Sequence, residues 1–149
     1  MTASLIFLAG VAQLGLVVAS LAIPRVLGWR QELARLRPLT RQVFWTYAGY
    51  IWVTNLAFAV VSILMPAALV GGSPLAAAVT GFITLYWAAR VAIQFVYFDR
   101  ADLTLGRELS GGAMRAAETA LVVLFVGLAL VYGAATLVNL GWLRRGDGA

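Results

Sequence analysis

The chain has 149 residues, 62% of them hydrophobic and 11% charged, and its net charge of +5 is carried by arginine with no lysine. A water-soluble domain has nearer half its residues apolar and about a quarter charged, so a soluble fold is excluded and a membrane-embedded one expected. Cysteine and histidine are both absent, which rules out disulfide exchange, thiol nucleophiles, iron–sulfur clusters and His-ligated haem; no cofactor and no metal are expected.

Four long apolar runs fill most of the length, so residues 1–149 read as one transmembrane domain. The predicted spans are 3–23, 43–65, 75–98 and 113–140. The fold class that follows is all-α: an integral membrane four-helix bundle of antiparallel up-down hairpins. No internal repeat or low-complexity segment is visible, and the two hairpins are only loosely alike.

The first span ends at Pro24-Arg25 and lacks a positive n-region. Ser20-Leu21-Ala22 could pass for a signal-peptidase site, but the segment reads as a retained anchor helix. Gln13 is its one strongly polar interior residue, expected to hydrogen-bond to another helix. The segment 24–42 reads as a loop with Arg25, Arg30, Arg35, Arg37 and Arg41 against a single Glu32. Trp29 lies among them at the level where aromatic belts form. Pro38 and Thr40 punctuate entry to the second helix, with Thr40 as the expected N-cap.

The second span stops at Pro66, and its first half is the more polar and aromatic. Thr46, Tyr47, Tyr50 and Thr54 share one face, with Asn55 at its edge. A short uncharged turn over 66–74 then leads into the third span, around which the chain is organised. This helix carries Arg90 and Gln94 well inside, where an unpaired charge costs several kcal/mol, on the order of 3. At roughly 100° per residue, Thr80, Thr84, Tyr86, Trp87, Arg90, Gln94 and Tyr97 fall in one arc of about 160°. Phe82, Leu85, Ala88, Ala89, Ala92, Phe95 and Val96 form the opposite, apolar arc. Ala76, Thr80, Thr84, Ala88 and Ala92 also make a small-residue row that invites close helix packing and self-association.

A second charged loop over 99–113 precedes the final span, which carries Glu118 near its start and Tyr132, Thr136 and Asn139 toward its far end. Eight arginines fall in or just beside the two charged loops (Arg25, Arg30, Arg35, Arg37, Arg41, Arg100, Arg107 and Arg115), and two close the chain beside Trp142. The positive-inside rule puts loops 24–42 and 99–113 in the cytoplasm and both termini outside, with a bacterial cytoplasmic membrane as the expected location. The arginines flank apolar runs, so membrane lipids rather than nucleic acid are the expected polyanionic partners.

Counting about 1.5 Å per residue from the basic end puts Arg90 level with Tyr50, Gln94 with Tyr47, and Asn55 with Tyr86 or Trp87. A short turn should make the second and third helices antiparallel neighbours. Glu118 is the one carboxylate inside a span, and an Arg90–Glu118 pair is the expectation. The candidate ligand-binding set is therefore Arg90, Gln94, Tyr86, Trp87, Tyr47, Tyr50, Thr54, Asn55 and Glu118.

Hydroxyls and an indole around one guanidinium suit an amphipathic, anionic molecule such as a lipid headgroup or quinone-like ring. A purely structural role as interhelical glue is the equal alternative. No catalytic motif is found. The expected function is that of a small polytopic membrane protein, non-catalytic, which binds a lipophilic small molecule or serves as a subunit of a homo-oligomer or larger membrane complex. The alternatives are a membrane-embedded enzyme acting on a lipid-soluble substrate, and a small channel or transporter. Length and the grouping of Tyr86, Arg90 and Tyr97 resemble the membrane-associated glutathione and eicosanoid enzymes. Their Asn-x-x-Glu pattern is absent, because Asn55 is followed three positions later by Phe58.

Overall fold

The computed structural model describes residues 3–96 and 111–142, and everything described in regular structure is helical. In chain order the helices are α1 (Ala3–Ser20), α2 (Ile23–Val26), α3 (Trp29–Ala34), α4 (Pro38–Leu64), α5 (Pro74–Val96) and α6 (Gly111–Asn139), with a 3₁₀ turn at Ala68–Val70. Four spans are long and apolar enough to cross a membrane: Ala3–Val26, Pro38–Leu64, Pro74–Val96 and Ala116–Asn139. The fold is the expected all-α bundle of four long helices. Its outer surface is aliphatic, with Leu64, Leu75, Leu85 and Leu130 each about 70% exposed, far more apolar area than a water-soluble surface presents.

Two expectations near the basic end need correction. The segment after the first span is not an irregular loop: it holds α2 and α3, joined at Gly28, whose φ of +61° suits a residue without a Cβ. The second long helix also starts earlier than its apolar run, with Arg37 as N-cap and Pro38 in the first turn. Proline lacks the N–H that a first turn would leave orphaned, so it starts the helix and Thr40 falls inside it. Trp29, Phe44 and Trp45 meet edge-to-face at centroid distances of 4.9–6.0 Å and fix α3 against α4.

Tight pairing runs α1 with α4 and α5 with α6, whereas α4 and α5 barely approach at backbone level. The reason is side-chain size. Gly10 lets α1 come so close to α4 that an added Cβ would lie 2.9 Å from the Cβ of Ser62 and 3.0 Å from the Ile63 amide nitrogen. Gly81 faces Thr136 and Gly133 faces Thr84 across the second pair. Between α4 and α5, Phe58 meets Phe82 and Tyr86 edge-on at 5.9 and 5.2 Å, and these rings hold the backbones apart.

The centre is dry and apolar around Ile6, Phe58, Ile83, Trp87, Phe125 and Leu128. Two polar groupings sit inside it. Tyr132, fully buried, accepts a hydrogen bond from Gln13 Nε2 at 2.8 Å and shares one with the Ser62 hydroxyl at 2.5 Å, tying α1, α4 and α6 together. Further toward the Pro66 turn, Asn139 donates to the Leu69 carbonyl at 2.9 Å and accepts from the Gly72 amide at 2.9 Å. There Thr136 donates to Thr80 Oγ1 at 3.0 Å, while Thr80 donates to the Ala76 carbonyl. Trp52 adds a bond from its indole to the Val17 carbonyl at 3.2 Å.

Candidate functional site

The sequence-predicted arc of α5 divides as expected except at its charged member. Thr80, Ile83 and Trp87 are buried and Thr84, Tyr86 and Gln94 half-buried, while Phe82, Leu85, Ala88, Ala89, Ala92, Phe95 and Val96 are exposed. Tyr97 lies outside the described residues. Arg90 is exposed. Its guanidinium carbon stands 5.6 Å from the centroid of the Phe125 ring, a cation–π contact.

Beneath it the aromatic stack is continuous. Phe125 lies stacked on Trp87 at 5.2 Å and 26°, Trp87 meets Tyr86 edge-on at 5.3 Å, and Tyr86 meets Phe58. Tyr86 has Asn55 beside it and feels the charge of Arg90, so Asn55 and Tyr86 are level, as counting residues implied. Asn55 Oδ1 and Trp87 Nε1 are both buried without a hydrogen-bond partner. Gln13 Oε1, elsewhere in the core, is a third such atom among the described residues. A buried donor or acceptor left unmade costs about 1–3 kcal/mol, so this corner, which holds two of the three, has the most to gain from an added polar atom.

Tyr47 and Tyr50 on α4 are 65% and 66% exposed, and Thr54, one turn further along the helix, is half-buried. Glu118 is half-buried on α6 and does not reach Arg90; among the described residues the ion pair is Arg35 with Glu32, at 3.8 Å on the surface. The helix register explains this. Contacts of Thr84 with Gly133 and of Gly81 with Thr136 place Arg90 opposite the region of Gly127, nine residues or about 13 Å from Glu118. Counting from position 113 underestimated that distance, because the apolar span of α6 runs from Ala116 and leaves Glu118 within its first turn.

The buried residues that hold the bundle together were the harder ones to read. Gln13 behaves as expected, yet its partners Tyr132 and Ser62, and the Asn139–Thr136–Thr80 set, were not assembled from the sequence. A signal existed: Phe125, Leu128, Tyr132, Ala135 and Asn139 recur at three- and four-residue spacing and are all buried on one face of α6. Of the two clearest surface depressions, one lies between Leu21 and Trp45 at the basic end and the other beside Phe7 and Pro66; neither borders Arg90. Protein-family models, curated proteins and solved structures yield no match to the chain.

Proposed function

We propose that this chain is a non-catalytic subunit of a membrane assembly, docked through the side that carries Arg90, Gln94, Tyr47 and Tyr50. The observation that supports the reading is the exposure of Arg90 on a membrane-length helix, six residues before Val96. That is about 9 Å from the helix end, at the edge of an arginine's reach to the headgroups. A guanidinium facing acyl chains costs about 3 kcal/mol or more. Coverage by polar groups of another helix removes the cost, and the exposed hydroxyls of Tyr47 and Tyr50, counted to the same depth, offer further polar contacts. The partner is a second copy of the chain or a different membrane protein.

A second reading has its own observation. Asn55 Oδ1 and Trp87 Nε1, orphaned beside Tyr86, would be satisfied by a lipophilic molecule that offers one donor and one acceptor. An enzyme reading would require a lipid-soluble substrate between Arg90 and a tyrosine hydroxyl, and a channel would require a hydrated path past the same residues. A photo-crosslinking residue at position 47, activated in native membranes, separates these readings. A discrete protein adduct is the result expected of a subunit, and a small-molecule adduct is that of a ligand site. Lipid adducts alone would overturn the subunit reading.

A further inference from the structure

Away from Arg90, α2, α3 and the start of α4 form a groove of about 420 Å³ lined by Leu21, Pro24, Arg25, Gly28, Arg30, Gln31 and Trp45. Its volume falls in the range of about 300–1,000 Å³ usual for small-molecule sites. The lining mixes two chemistries: Leu21, Pro24 and the Trp45 ring are apolar, and Arg25, Arg30 and Gln31 are polar. The corner exists because the chain leaves α1 at Ser20, turns through α2 and reverses at Gly28 in a left-handed conformation. Trp45 is held by its edge contacts with Trp29 and Phe44, so the apolar side is fixed.

The charges of this groove are not neutralised from within. Glu32, the single acid of residues 24–42, points to Arg35 at 3.8 Å. Arg25 and Arg30 have no carboxylate partner among the described residues, and both are exposed. Two guanidinium forks beside an apolar wall at the aromatic-belt level match a ligand with a phosphate at one end and hydrocarbon at the other.

We infer that this groove binds a phosphate group through Arg25 and Arg30, the phosphate being that of an anionic phospholipid whose glycerol and upper acyl chain lie along Leu21, Pro24 and Trp45. The inference is independent of the Arg90 side and does not need the subunit reading. A free phosphate or soluble phosphate ester shares the headgroup's chemistry but leaves the apolar wall unused.

The full chain, delipidated in neutral detergent at about 0.15 M salt where the screening length is about 8 Å, is titrated with short-chain phosphatidylglycerol, short-chain phosphatidylcholine and inorganic phosphate. Binding is read by native mass spectrometry. One phosphatidylglycerol is expected to bind per chain. The double variant Arg25→Gln/Arg30→Gln should weaken it by about thirtyfold, the loss expected for two basic groups at a membrane surface. Arg35→Gln/Arg37→Gln removes the same charge outside the groove and should change it by less than about threefold. Displacement of the lipid by inorganic phosphate at equal concentration would support the phosphate site with a soluble source. Equal losses in the two double variants, or equal binding of phosphatidylcholine in the native chain, would overturn the site. Circular dichroism confirms that each variant keeps its helices.

Discussion

The two polar regions of this bundle obey opposite rules. At the Pro66 end, Gln13, Ser62, Tyr132, Thr80, Thr136 and Asn139 face inward and hydrogen-bond among themselves, with Gln13 Oε1 left over. At the basic end, Arg90, Tyr47 and Tyr50 face outward, and Asn55 and Trp87 keep buried polar atoms unmade. In hydrocarbon no water compensates an unpaired group, so a self-contained polar cluster acts as glue and an outward-facing one requires something to cover it. The first kind belongs to the stability of the single chain; the second, on the subunit reading proposed above, belongs to its docking.

This contrast can be broken at either region, and the inner one should give the larger effects. Gly10→Val would drive a side chain into Ser62 and the Ile63 backbone. The expected loss is about 3 kcal/mol of stability, read as a lowered unfolding midpoint in detergent. Next comes Tyr132→Phe, which leaves Gln13 Nε2 and the Ser62 hydroxyl without their shared partner; about 1–2 kcal/mol is expected by the same measurement. Asn139→Ala frees the Gly72 amide and the Leu69 carbonyl at a turn, and about 1 kcal/mol should be lost. Arg90→Leu reverses the pattern: the isolated chain should stay within about 0.5 kcal/mol, since only the Phe125 contact is removed. On gentle extraction from native membranes the unaltered chain is expected to migrate as a complex and this variant as the free chain. Equal destabilisation by Tyr132→Phe and Arg90→Leu in detergent would erase the distinction between the two regions.

Composition and run length were enough to read the helix count and the apolar arc of α5, because a lipid-facing surface must be almost purely aliphatic and the signal is therefore strong. Pairing of the helices was less legible. It depends on where small residues let backbones meet, and Gly10 against Ser62 and Ile63 looks in the sequence like any glycine in an apolar run. Arg90 was expected to have polar partners within the bundle, and among the described residues its contact is the face of the Phe125 ring. Depth counted from predicted helix ends carried an error of several residues. For the Asn55–Tyr86 level the error cancelled between two neighbouring helices, and for Glu118 it did not. Short interfacial helices such as α2 and α3 leave no period long enough to read, so the groove they form could not be foreseen.

The absence of cysteine makes one comparison clean. Tyr50→Cys and Ala92→Cys place a spin label at matching depths, one on the polar side and one on the apolar arc, and oxygen collision rates are compared in native membranes and in dilute detergent. The account predicts that the label at position 92 stays accessible in both, while the label at position 50 is shielded in the membrane and accessible once the chain is dispersed. Equal oxygen accessibility of the two labels in native membranes would show that nothing covers the Arg90 side, and would contradict it.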